Sequence, residues 1–152
     1  MARNCVFCRI IEKKEKAYIV YEDKNVLAVL DKNPFTEGHT VIMTKKHYES
    51  LFDVDKKDLL HVILLAKKLA LLYKKEFKCD GANIIHASGA IAGQSVNHFH
   101  VHLVPRYKAD NLGNLWYRAR NKCINNYLVY GRLVTSKYYK LLGESNMAKA
   151  NL

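Results

Sequence analysis

Apolar and polar positions along the first hundred residues alternate with two different periods, and the changes of period mark the elements. Near the amino terminus Phe7 and Ile10 read as core anchors of a short helix or turn. Tyr18 to Glu22 and Val26 to Asp31 read as two strands around the turn Asp23-Lys24-Asn25. Asn33-Pro34-Phe35-Thr36-Glu37-Gly38 is a connection, and Gly38 leads into a third strand, His39 to Thr44. The period then becomes helical. Asp55 is the candidate N-cap of one long helix over 56–76, with Leu59, Leu60, Ile63, Leu64, Ala66, Leu71 and Leu72 as a broad stripe expected to be buried. Cys79-Asp80-Gly81 turns the chain into a fourth strand, Asn83 to His86, and Ala87 to Gly93 is a small-residue loop. A fifth strand is expected from Val96 to Val104.

Beyond Arg106 the pattern weakens. Leu112 to Asn126 reads as loop plus short helix, Tyr127 to Leu133 as a strand-like run, and Lys137 to Leu142 as a final turn or helix. Several short strands around one long helix predict an α+β fold with an antiparallel sheet covered on one face. No internal repeat is visible.

The fifth strand carries the chemistry. In His98-Phe99-His100-Val101-His102-Leu103-Val104-Pro105-Arg106 three histidines alternate with apolar residues. Side chains two apart share a face, roughly 6 to 7 Å from one to the next. Phe99, Val101 and Leu103 would enter the core on the other face. Three imidazoles in a row suit a metal cluster or an acid–base and nucleophilic device.

Composition narrows the setting. The 152 residues suffice for one domain with a real core, 49% of them are hydrophobic, and no low-complexity run interrupts them. The start has charge inside its apolar stretch, so no signal peptide is expected, and no apolar run is long enough to span a bilayer. The expected compartment is the cytoplasm. Lys and Arg number 25 against 14 Asp and Glu, a formal charge of +11, which favours an anionic ligand. No basic cluster is interleaved with a stacking platform, so nucleic acid is not expected. Of the cysteines, Cys5 and Cys8 form a Cys-x-x-Cys pair with metal-ligand spacing, with buried thiols or a redox pair as alternatives. Cys79 and Cys123 read as core residues, and the four together do not make a disulfide framework.

These residues together resemble the histidine triad (HIT) family. The family motif His-φ-His-φ-His-φ-φ is met at every position from His98 to Val104. Ala92-Gly93-Gln94-Ser95-Val96 is similar to the family's lead-in, and Thr36-Glu37-Gly38-His39 followed by an apolar strand and Lys45-Lys46-His47 is similar to its amino-terminal half. The likeness spans residues 5 to 106. It implies a five-stranded antiparallel sheet with one long helix, paired into a homodimer with a continuous sheet. On that basis residues 1–110 are the family domain and 111–152 a basic extension packed on or near the dimer interface.

The resemblance also implies roles. His100 is expected to attack the α-phosphorus of a purine nucleoside phosphoramidate or acyl-nucleotide, forming a nucleotidyl-histidine that water then hydrolyses. The other ring nitrogen of His100 should be held by an acceptor, most simply a backbone carbonyl. His102 would contact a phosphoryl oxygen or protonate the leaving group, with His39 orienting it. Gln94 and Ser95 would contact phosphate, Asp31 the ribose hydroxyls, and Phe7, Ile10, Val29 and Leu30 would clamp the purine, although a plain core role suits those four as well. The family commonly has an asparagine seven residues before the glutamine. Here that residue is Ala87, which leaves His86, Ser88 and Asn83 as candidates to replace it. Cys5, Cys8, His47 and His98 would complete a closed, structural zinc site. A dinucleoside polyphosphate hydrolase shares the same triad, and a non-catalytic nucleotide-binding or scaffold protein is the reading from another class.

Overall fold

The computed structural model describes residues 4–113. Helix α1 (Val6–Ile11) is followed by β1 (Ile19–Glu22), β2 (Val26–Leu30) and β3 (Thr40–Thr44), then α2 (Lys56–Glu76), β4 (Gly81–Ile85) and β5 (His100–Arg106). The five strands form one antiparallel sheet in the order β1-β2-β3-β5-β4. This is the expected α+β architecture, and no described helix is long and apolar enough to cross a membrane. The strand-like and helical runs expected beyond residue 113, and Cys123, lie outside the described residues, as does nearly all of the basic extension.

Strand alternation divides the molecule into two sides. Val26, Ala28 and Leu30 of β2, Ile42 of β3, and Val101 and Leu103 of β5, with Phe99 just before it, pack under α2. Leu27, Val29, Val41 and Met43 face the other way, against Phe7 and Ile10 of α1. Neighbouring strands keep this register, with Val41 opposite His102 and Met43 opposite His100. The triad strand therefore presents its apolar residues to the helix and its histidines to the α1 side.

Helix α2 begins where Asp55 accepts the Lys57 N–H at 2.8 Å, as an N-cap should. Its buried residues are Val62, Leu65, Ala66, Leu69 and Tyr73, one stripe at helical spacing. Most of the stripe expected from sequence is wrong in phase. Leu60, Ile63, Leu64 and Leu71 are exposed, and only Ala66 of the expected residues is fully buried. The helix is apolar around more than half its circumference, so periodicity alone does not choose the face.

Two further differences bear on the site. β5 begins at His100 and not at Val96, because the His98 N–H turns back to the Val96 carbonyl at 2.8 Å and the Phe99 N–H goes to Tyr48 at 2.7 Å. His98 thus sits in a bend ahead of the strand. The loop after β4 contains a single turn of 3₁₀ helix, Ala90–Ala92.

Gly38 adopts φ of +81°, and a Cβ there would lie 3.2 Å from the Pro105 ring and 3.7 Å from Tyr73. The backbone thus approaches closely just before His39, where β3 lies against β5.

Candidate active site and metal centre

His100 and His102 project from one face of β5, with ring centroids 5.1 Å apart. His100 Nδ1 lies 2.6 Å from the His98 carbonyl oxygen. A carbonyl only accepts, so Nδ1 carries the proton and Nε2 keeps its lone pair. Nε2 makes no hydrogen bond among the described residues. Burial pushes the His100 imidazole down to about 4, against the opposing hydrogen bond to His98, so the ring is neutral at ordinary pH.

The other two imidazoles form a directed chain. The Phe35 N–H donates to His39 Nδ1 at 3.1 Å, which puts the His39 proton on Nε2. His39 Nε2 lies 3.0 Å from His102 Nδ1, so His39 donates and the neutral His102 carries its own proton on Nε2. Phe35 also stacks on His39, with centroids 5.0 Å apart and planes 11° from parallel. Burial lowers His39 to about 4 even though Asp31 opposes the shift. Two rings aligned in one donor direction present an N–H beside the lone pair of His100 Nε2.

Four other side chains converge at the opposite end of the strand. His98 Nδ1 is 3.4 Å from Cys5 Sγ, 3.6 Å from Cys8 Sγ and 3.2 Å from His47 Nδ1, and Cys8 Sγ is 3.3 Å from His47 Nδ1. Ordinary zinc bond lengths in a tetrahedron give edges of about 3.3 Å between two nitrogens and about 3.6 Å between nitrogen and sulfur. The four atoms thus already stand at ligand spacing, and Cys5, Cys8 and His98 are buried. His98 Nε2 faces the Thr44 carbonyl at 2.7 Å, which assigns the proton there and leaves Nδ1 for an ion. Such a closed set of two thiolates and two imidazoles has structural character.

The HIT domain family model matches residues 12–109. The chain belongs to the HIT family. An uncharacterized HIT-like protein of Methanocaldococcus jannaschii is 45% identical over 106 residues, covering 70% of this chain and 81% of that one. A Zn-bound histidine triad protein from Mycobacterium smegmatis superposes with a TM-score of 0.79 at 32% identity, covering 91% of this chain and 95% of that one. A HIT family hydrolase from Clostridium thermocellum gives a TM-score of 0.63 at 30% identity, with 72% and 96% covered. The HIT fold expected from the sequence is therefore present, and the Cys5, Cys8, His47 and His98 group fits structural zinc.

In this HIT protein the remaining expected site residues divide. Phe7 meets His100 edge to face at 5.0 Å and His98 at 5.9 Å, so α1 spans the space between the metal group and the triad. Ile10 and Val29 pack on the same side. Leu30 is corrected: strand alternation puts it in the core under α2, away from any purine clamp with Val29. Gln94 is also corrected as a phosphate donor. Its amide nitrogen donates to the carbonyls of Glu49 at 2.6 Å and Val96 at 2.9 Å, and its oxygen accepts the Gly89 N–H at 2.7 Å. It staples the loop instead. Ser95 beside it is exposed. Asn83 lies on the triad face of β4 but binds Arg106 through Oδ1 at 2.8 Å. Asp31 has Oδ2 3.3 Å from His102 Nδ1.

One supporting residue, Phe35, escaped the sequence reading, and His86, named there only as a candidate to replace the family's asparagine, makes backbone contacts that the reading did not foresee. Phe35 fixes the His39 tautomer through its backbone, which no side-chain motif can reveal. His86 Nδ1 donates to the His100 carbonyl at 2.7 Å, and its Nε2 pairs with Ser88 at 2.7 Å. Ser88 in turn accepts the Leu51 N–H at 3.2 Å. His86 and Ser88 thus hold the backbone of the triad strand in place.

Two outcomes follow from this division of histidines. His98→Ala is expected to lose bound zinc and lower Tm, whereas His100→Ala keeps its zinc; metal analysis of the purified variants decides, and equal loss in both contradicts the assignment. The second concerns acid. His39 and His100 bind protons near pH 6.5 when unfolded and near 4 when folded. Between those values the unfolded chain holds more protons, so stability falls as pH falls, by up to about 1.4 kcal/mol per pH unit for each histidine. Thermal melts from pH 7 to 5 should show that slope, and His39→Gln should flatten it. Equal slopes in the two proteins contradict the argument.

Proposed function

We propose that this HIT protein is a nucleotidyl hydrolase or transferase that acts on the α-phosphorus of purine nucleoside phosphoramidates or acyl-nucleotides. The observation that carries the reading is the 2.6 Å bond from His100 Nδ1 to the His98 carbonyl, which leaves Nε2 as a neutral nucleophile. Nε2 attacks phosphorus, the leaving group departs with its electron pair and a proton, and a nucleotidyl-histidine forms. Water then releases the nucleoside monophosphate. His102, aligned by His39, is the proton carrier. Exposed Ser95 supplies a hydroxyl to phosphate, and the spare lone pairs of Asp31 suit a ribose cis-diol. Phe7, Ile10 and Val29 give the base an apolar wall. The formal charge of +11 favours such anionic substrates.

Pairing into a homodimer belongs to the same reading. β4 is an edge strand with Ile84 48% exposed, and α2 carries Leu60, Leu64 and Leu71 in the open. An edge unpaired among the described residues, beside an apolar helix face, suits a second copy of the chain. The basic extension is proposed to pack near that interface, and the protein to work in the cytoplasm.

A turnover panel tests the activity. An adenosine phosphoramidate with an alkylamine leaving group is expected to be cleaved faster than diadenosine tetraphosphate. His100→Ala should abolish turnover, by at least about a thousandfold, while AMP still binds. The reverse substrate order points to the dinucleoside polyphosphate branch, and turnover retained in His100→Ala overturns the nucleophile.

A further inference from the structure

Strand β4 stops short of His100. Ile85 at its end pairs with His102, so the next step of the same register would set Ala87 opposite His100. The strand has ended by then, and the His100 carbonyl takes a side-chain donor, His86 Nδ1, at 2.7 Å. A carbonyl only accepts, so Nδ1 carries the His86 proton and Nε2 is left as an acceptor. Ser88 Oγ lies 2.7 Å from that nitrogen and donates to it. Ser88 Oγ in turn accepts the Leu51 N–H at 3.2 Å. Every proton from Leu51 through Ser88 and His86 thus runs toward the His100 backbone.

The same loop grips the strand a second time. The Phe99 N–H donates to the Tyr48 carbonyl at 2.7 Å. That N–H and the His98 carbonyl belong to one peptide unit, and the His98 carbonyl is the group that accepts the His100 ring proton at 2.6 Å. Tyr48 therefore fixes the acceptor of the ring bond directly. His86, through Ser88 and Leu51, fixes the backbone that carries the donor. Between the two grips Phe99 is fully buried under α2, and its ring meets the His86 ring with centroids 5.0 Å apart.

We propose that His86, its tautomer set by Ser88, is a positioning residue for phosphorus transfer, holding the His100 backbone so that Nε2 meets phosphorus in line. The ring bond spans only two residues, so a turn of the His100 backbone moves the ring with it. A displacement of about 1 Å at a reacting atom can cost about a hundredfold in rate. Neither His86 nor Ser88 needs to touch substrate for this. Their side chains act on the backbone of His100 and leave its Nε2 lone pair open.

The inference rests on the nucleotidyl-transfer reading, and the test separates the two. Full-length, zinc-loaded wild type, His86→Val, His86→Asn and Ser88→Ala are compared on an adenosine alkylamine phosphoramidate, well below the Tm of each. Valine removes the donor, whereas the asparagine amide nitrogen takes roughly the place of imidazole Nδ1 and keeps it. In His86→Val kcat is expected to fall about thirtyfold with KM little changed, and His86→Asn to recover most of that loss. Ser88→Ala should lose about fivefold in kcat, and lose nothing further when added to His86→Val. Equal losses in the valine and asparagine variants, a change confined to KM, or wild-type kcat in His86→Val overturns the proposal. Where His86→Val fails to fold, Ser88→Ala decides alone, and wild-type kcat in it is the contrary result. Inactivity of wild type would sink the nucleotidyl-transfer reading alone. The positioning claim then stands or falls on proton NMR of nucleotide-free protein. The His100 Nδ1–H should exchange with water faster in His86→Val than in wild type or His86→Asn, and equal exchange in all three overturns it.

Discussion

A strand that donates a side-chain proton to its own backbone is under an unusual constraint. The bond from His100 Nδ1 to the His98 carbonyl spans two residues, so the ring can make it only if the carbonyl is turned out of the sheet ladder. The bend at His98 does this, and it is kept in place by Tyr48 accepting the Phe99 N–H. His98 itself is anchored by its place among Cys5, Cys8 and His47. From the other side, His86 grips the His100 carbonyl. The tautomer of one imidazole therefore depends on the zinc group, the end of β4 and the loop before α2 together.

The sheet makes the separation of labour possible. Every apolar residue from Phe99 to Leu103 goes under α2, which supplies most of the burial and so fixes the register. The opposite face can then hold polar side chains, provided each proton has an acceptor. It does so with backbone groups at both ends of the chain of histidines. Phe35 supplies an N–H to His39, and His98 supplies a carbonyl to His100. A one-residue slip in β5 would exchange the two faces and destroy the core and the site at once.

Much of this was legible in the sequence because the histidines and their apolar partners obey a strict period of two. The long helix was equally plain, and its bounds at Lys56 and Glu76 match the expectation. Its buried face was not plain, since leucines surround it. The fifth strand was drawn too long because His98 keeps the rhythm of the strand while its backbone leaves the ladder. Leu30 and Gln94 were misjudged for related reasons: adjacent strand residues face opposite ways, and an amide suited to phosphate is equally suited to loop carbonyls. The parts played by Phe35 and His86 rest on backbone atoms, which residue types do not announce.

The central claim is that phosphorus passes through His100 in two displacements. Each displacement inverts configuration, so a substrate made chiral at the α-phosphorus with one sulfur should give product with retained configuration when water is replaced by a resolvable oxygen isotope. Retention is the result expected of the histidine relay. Inversion would mean that water attacks directly and that His100 has another part.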